Sequence, residues 1–229
     1  MRSSALPVLL LAACASARTL RHRYYVLRHG QSMANVQGII SSDPAVACNT
    51  HGLSDVGLEQ ARAAAEAVCA EAAAKGLNVA IVSSDFCRAW QTAQCVADAC
   101  AKAGVATWPA EGVAPDEALR ERDFGEFNGE PVARYDDVWA EDARSAFHTR
   151  FGVESVQSVR ERAAAVVERM EACAELTSDS SWMIVLVAHG DVLQILQTAF
   201  AGVDASAHRS LPHLETATLR ALGAEIEVG

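Results

Sequence analysis

Apolar runs and helix-spaced apolar positions alternate along this chain, and the runs end in chemistry-bearing residues. Tyr24-Tyr25-Val26-Leu27 is aromatic and β-branched and stops at Arg28-His29-Gly30. That is the pattern of a buried strand delivering polar groups to the carboxyl edge of a sheet, where open α/β folds bind ligands. Val79-Ala80-Ile81-Val82 repeats it and ends at Ser83-Ser84-Asp85. Met183-Ile184-Val185-Leu186-Val187-Ala188 is the strongest run and contains no polar residue, which implies burial on both faces. It ends at His189-Gly190-Asp191.

Helical signals separate these strands. Ser54 is set as an N-cap for a helix reaching Lys75 and stopped by Gly76, and a second helix runs from Phe86 to Ala103 with Gly104 beyond it. A short helix is expected within Pro131 to Ala146, anchored in the core by Trp139 and Phe147. Another opens at Glu154-Ser155, with Val156, Val159, Ala163, Val166, Val167 and Met170 at helical spacing, and a last one covers Val192 to Phe200. The segment from Gly38 through Ser41, Ser42 and Pro44 to Thr50-His51-Gly52 reads as a polar loop. Val105 to Trp108 reads as an edge strand and Thr216 to Leu222 as a final strand. Strand and helix in alternation define an α/β fold, a three-layer α/β/α sandwich with a mainly parallel central sheet and helices on both faces. No repeat or linker divides it, and 229 residues suit a single domain over 18–229.

Charge changes the picture at one end. The formal net charge of −10 argues against nucleic acid as a partner, because counterion release needs a basic face. Yet Arg18, Arg21, Arg23 and Arg28 cluster in a stretch with no acidic residue before Asp43. Two causes are available, a targeting peptide and an anion site just after it. Residues 1–17 carry the first: Arg2, an apolar Ala5 to Ala15 too short to span a bilayer, and the A-x-A-like Ala15-Ser16-Ala17. A secretory leader is the principal reading. Leu11-Ala12-Ala13-Cys14 also fits a lipoprotein box, and the acid-free start fits organelle transit. Secretion or organellar import is therefore expected, with a cytoplasmic location the alternative and no membrane attachment after processing. Six cysteines follow the leader and permit disulfides in an oxidising compartment without specifying pairs. No Cys-x-x-Cys or His/Cys spacing supports zinc, so no metal is expected. Oligomeric state is not encoded in this pattern.

The candidate chemistry lies at the strand ends. An imidazole such as His29 serves as base, metal ligand or nucleophile, and the planar donor fork of Arg28 beside it suits a phosphate or carboxylate. Gly30 would let the backbone approach a ligand, and Ser32 and Asn35 would add hydrogen bonds. Arg88 stands in the first turn of its helix, where a cation opposes the helix dipole and where dipole and guanidinium together favour an anion. Leu119 to Gly129 packs charges, aromatics and glycines without periodicity, a place for a catalytic acid held by Phe124 and Phe127. His189, followed by Gly190, leaves a second central strand as His29 leaves the first.

These residues resemble the histidine phosphatase, or phosphoglycerate-mutase-like, superfamily over Tyr24 to about Leu222. The markers are Arg28-His29-Gly30-Gln31-Ser32 with Asn35, Leu53-Ser54-x-x-Gly57-x-x-Gln60-Ala61, Ser83-Ser84-Asp85 with Arg88-Ala89-x-Gln91-Thr92-Ala93, Leu119-Arg120-Glu121-Arg122 with Gly125, and Val187-Ala188-His189-Gly190. The resemblance implies His29 as the nucleophile that becomes phosphohistidine. It implies Arg28, Arg88 and His189 as the phosphoryl pocket, Glu121 as the leaving-group acid, and Ser32, Asn35 and Gly190 as substrate-binding positions. Asp123 and Glu126 are alternatives to Glu121. His22, His51, His148, His208 and His213 match no catalytic motif and read as surface or structural. The implied activity is metal-free, cofactor-free hydrolysis of a phosphomonoester on a small phosphorylated metabolite. Gly129 to Glu154 is short for the substrate-enclosing insert of dedicated mutases, which favours water over substrate as phosphoryl acceptor. The strand-end segments at His29 and His189 also look like plant and algal carboxyarabinitol-phosphate phosphatase-like members. A phosphoglycerate mutase, or a catalytically silent binder of phosphorylated ligands, is the alternative.

Overall fold

A computed structural model describes residues 16–176 and 181–228 of the chain. Strands β1 (Ser16–Thr19) and β2 (Arg23–Arg28) lead to two short helices, α1 (Met33–Gln37) and α2 (Pro44–Ala47), and then to the long helix α3 (Asp55–Lys75). The chain continues through β3 (Asn78–Ser83), α4 (Cys87–Ala103), β4 (Thr107–Trp108), β5 (Ala114–Pro115), α5 (Tyr135–Asp142) and α6 (Val156–Ala172). It closes with β6 (Trp182–Ala188), α7 (Gly190–Ala201), β7 (Leu219–Ala221) and β8 (Glu225–Val228).

The central sheet has the order β4-β3-β6-β2-β7, with β5 also paired to β3. All its pairings are parallel except β2 with β7. The register decides where chemistry falls: Arg28 lies opposite Ala188, and Ser83 opposite Val187. Strands β2, β6 and β3 therefore finish almost level, and the next residues, His29, His189 and Ser84, emerge side by side.

Side-chain alternation along these strands builds two cores. Tyr24, Val26, Ala80, Val82, Ile184 and Leu186 pack on α6 and α7, whereas Tyr25, Leu27, Val79, Ile81, Met183 and Val185 pack on α3 and α4. Period-2 alternation is what makes a wholly apolar strand serve both faces. A third, smaller cluster of Ile40, Phe124, Phe127, Val138 and Val153 supports the loops above the carboxyl edge. No helix among the described residues is long and apolar enough to cross a membrane.

Several expectations are corrected. Phe147 is 73% exposed and anchors nothing, because α5 ends at Asp142 and Ala146 takes the core position beside it. The predicted polar loop contains α2, started by the Asp43 side chain, and just before it stands the unpredicted α1, started by the Ser32 side chain. Helix α7 begins at Gly190, with His189 itself as N-cap. The last strand is confined to Leu219–Ala221, Ala217 before it having φ 56°. The pairing of β1 with β8 was not legible from pattern. The expected leader lies outside the described residues up to residue 15, while Ser16 and Ala17 belong to β1. Cys48, Cys69, Cys87, Cys95, Cys100 and Cys173 are all free thiols.

Candidate active site

His29 leaves β2 into a loop held by two helices. Its amide donates to Ala188 O of β6 at 3.0 Å, and Gly30 N donates to Thr92 Oγ1 of α4 at 3.2 Å. Gln31 N donates to Gln60 Oε1 at 2.8 Å, and Ser54 N donates to Gln31 O at 2.9 Å. The Cα of Gly30 packs against α3; a Cβ there would lie 2.3 Å from Gly57 O. Gly57 is tighter still, since its Cβ would stand 1.9 Å from Gln31 O. The Ser54, Gly57 and Gln60 positions thus fix the histidine loop on the start of α3. Gly57→Ala is expected to cost at least about 2 kcal/mol through forced backbone displacement, together with activity. Denaturant unfolding alongside an assay checks this, and a neutral variant would contradict the packing.

The His29 ring is oriented at both nitrogens. Nδ1 lies 2.7 Å from Gly30 O, so it carries the hydrogen. That leaves a lone pair on Nε2, which accepts from Arg88 Nε at 3.1 Å. His189 packs edge-on with ring centroids 5.1 Å apart, and its Nε2 sits 2.9 Å from Ser84 Oγ. Burial, with Arg88 and Arg28 next in weight for His29, holds both imidazoles well below the usual histidine range, so both are neutral at pH 7.

Arg28 is steered from the far end of the chain: Nη1 meets His213 Nε2 at 2.9 Å and donates to Leu214 O at 2.7 Å. Its guanidinium also lies against Gly190, where a Cβ would come within 3.2 Å of Cζ. Arg88 donates from Nη2 to Ser41 O at 2.8 Å. Three buried nitrogens on the side chains around His29, Arg28 Nε, Arg88 Nη1 and His189 Nδ1, have no partner among the described residues. Burying such groups unpaired costs about 1–3 kcal/mol each, more for charged ones, so their clustering marks a place built for an oxyanion.

Glu121 is the candidate acid that turns inward. Its Oε1 accepts from Arg122 N and from Val192 N at the start of α7, each at 3.1 Å. Burial and the neighbouring Asp191 raise it above the ordinary glutamate range against the pull of Arg88. Asp123 is exposed and folds its own loop through Gly125 N and Asn128 Nδ2, and Glu126 is exposed. Ser32 and Asn35 are engaged with each other in a reciprocal cap at the start of α1, with Ser32 buried and Asn35 exposed. Ser41, Ser84, Thr92, His213 and Leu214 support the site without having been singled out for it. Ser84 and Thr92 lay inside recognisable motifs; the contact between Arg28 and His213 has no local signal.

A level parallel-sheet edge carrying two neutral histidines, two arginines and a raised carboxyl defines an α/β protein with an oxyanion-handling centre. The chain belongs to the histidine phosphatase superfamily (branch 1), whose family pattern matches residues 24–226. It is 33% identical to the glucosyl-3-phosphoglycerate phosphatase of Mycolicibacterium vanbaalenii, over 79% of this chain and 75% of that one. It is 28% identical to a Yersinia pestis protein named "Probable phosphoglycerate mutase GpmB", over 82% and 78%. Among solved structures, a mycobacterial glucosyl-3-phosphoglycerate phosphatase in complex with VO3 superposes with a TM-score of 0.69 at 27% identity, covering 87% of this chain and 90% of that one.

Proposed function

We propose that this protein is a phosphomonoesterase that hydrolyses a small phosphorylated metabolite through a phosphohistidine at His29. The observation that carries the reading is that three buried nitrogens, Arg28 Nε, Arg88 Nη1 and His189 Nδ1, lack a partner among the described residues and belong to side chains around a histidine whose Nε2 is left with its lone pair. Similarity to phosphatases, one with VO3 bound, supports it.

The chemistry follows from the placement. His29 Nε2 attacks phosphorus in line with the ester oxygen, and the phosphorus–oxygen bond breaks with its electron pair on the leaving oxygen. Glu121 delivers its proton there. Water then attacks the phosphohistidine while the Glu121 carboxylate accepts a proton, which returns both groups to their starting states and releases phosphate. Arg28 and Arg88 face the equatorial oxygens and supply the positive charge that phosphoryl transfer requires, so the reading needs no metal. Splitting one displacement into two in-line steps suits an ester whose uncatalysed hydrolysis demands accelerations of order 10²¹.

The substrate class we infer is a phosphorylated sugar acid or related hydroxy acid. The mutase relative keeps a second reading in view, but only α5 and short 3-10 turns lie between Gly129 and Glu154, a small cover over the site. Phosphate release by the purified protein from a panel containing glucosyl-3-phosphoglycerate, 3-phosphoglycerate and carboxyarabinitol phosphate, with a chelator present, separates these. Turnover that survives chelation supports the reading. Isomerisation of 3-phosphoglycerate dependent on a bisphosphoglycerate primer would replace it with the mutase, and phosphate affinity without turnover with a binder. The amino-terminal pattern leads us further to propose export or organellar import of the mature domain.

A further inference from the structure

Behind Glu121 lies a buried charge network that the proposed reaction does not use directly. Arg122, fully buried, grips Asp142 bidentately, with Nη1 to Oδ2 at 2.7 Å and Nη2 to Oδ1 at 2.8 Å. Its Nε donates to Glu154 O at 2.7 Å, and Nη1 also reaches Asp191 Oδ2 at 3.4 Å. Trp139 Nε1 donates to Asp191 Oδ1 at 3.2 Å. Asp191 sits in the first turn of α7, immediately before Val192, whose amide holds Glu121.

We propose that Asp191, anchored by Arg122 and Trp139, is a positioning residue that keeps the Glu121 side chain in its proton-carrying form. The inference rests on Glu121 as the leaving-group acid. The local geometry alone would do the opposite. Glu121 accepts two backbone N–H groups, one at a helix amino terminus, and faces Arg88; all three favour a carboxylate, which cannot protonate a leaving oxygen. Burial of the carboxyl pushes the other way first, and the fixed negative charge of Asp191 in the first turn of α7 adds to it through a medium that screens little.

The groups facing Glu121 are few. They are Asp191 from α7, Arg88 from α4, the Tyr135 phenol from α5 and Arg122 beside it in the chain. Burial first, and the charge of Asp191 after it, push Tyr135 up, so it is neutral. Beyond Asp191, His208 Nε2 lies 3.7 Å from both Asp142 Oδ2 and Asp191 Oδ1, and burial lowers it, so it is neutral at pH 7 and adds no positive charge beside Asp191. Arg122 completes the device by locking the backbone next to Glu121.

The test is the pH profile of kcat for Asp191→Asn in the full chain, with an alkyl phosphate and with p-nitrophenyl phosphate, against wild type, Asp191→Glu and Glu121→Gln. The alkyl ester needs a proton on departure; nitrophenolate does not. Removing the charge moves the alkaline limb for the alkyl ester toward acid, with kcat above neutral pH falling about tenfold or more, a part of what a general acid contributes. The nitrophenyl ester loses far less, and Asp191→Glu returns the limb. An unmoved limb, or equal losses on both esters, overturns the proposal while leaving the acid role intact. Alkyl-ester turnover retained in Glu121→Gln removes the underlying reading instead. Should Asp191→Asn fail to fold, Asp191→Ser takes its place with the same two outcomes: an alkaline limb moved toward acid for the alkyl ester supports the role and an unmoved limb overturns it.

Discussion

Replacing His29 by alanine is expected to reduce phosphomonoester turnover by at least about four orders of magnitude, the scale on which nucleophile deletions act. The effect is large because nothing nearby substitutes. His189 presents a second imidazole 5.1 Å away between ring centroids, but its Nε2 is engaged by Ser84 and its Nδ1 is buried without a partner among the described residues. The variant should remain folded. The ring's own bonds are to Gly30 O and Arg88, whereas the loop backbone is held by Ala188, Thr92, Gln60 and Ser54. Binding of inorganic phosphate should survive better than turnover, since Arg28 and Arg88 persist. Steady-state phosphate release together with circular dichroism makes the comparison; a folded variant within tenfold of wild type would remove His29 from the reaction.

Arg122→Ala carries the largest expected loss of stability, about 3–5 kcal/mol, the cost of removing one partner from a buried ion pair. The variant deprives two carboxylates, Asp142 at 0% exposure and Asp191 at 6%, of their shared guanidinium, leaves them facing His148, 2.6 Å from Asp142, and His208, 3.7 Å from each, and frees the carbonyl of Glu154. For a domain of this size the corresponding drop in Tm is roughly 6–20 °C. Arg122→Met combined with Asp142→Leu should recover part of it, because an apolar pair of similar volume avoids the stranded charge. Thermal unfolding of both variants provides the measurement, and a single variant as stable as wild type would show that the network carries no net stabilisation.

Much of this architecture is legible in the chain itself. The three apolar runs at Tyr24, Val79 and Met183 are long enough, and end sharply enough, to announce central strands. Because those strands are parallel and level, whatever follows each must converge. His29, Arg88 and His189 were readable as one site for that reason. What stayed hidden depends on contacts that no local pattern encodes. Arg122 and Asp191 read as members of charged segments, and only the packing of α5, α6 and α7 around them turns them into a buried pair with Asp142. His213 reads as a surface residue and is exposed, but its contact with Arg28, 185 positions earlier, arises only when the chain closes. Phe147 fails in the opposite sense: an aromatic beside a helix suggests an anchor, yet its neighbour Ala146 fills the core and it faces solvent. The close approach of Gly30 to Gly57 of α3 likewise has no local signal.

The central claim is that the phosphoryl group resides on His29 between two in-line steps. Rapid acid-free quenching of the enzyme during turnover, followed by alkaline denaturation and mass spectrometry of the peptide bearing Arg28-His29-Gly30, tests it most directly. The account predicts a phosphoryl group on His29 that is stable to base, lost in acid, and formed and consumed at rates compatible with turnover. Steady phosphate release with no phosphoryl group on His29 at any time, or with the group on another residue, would contradict it.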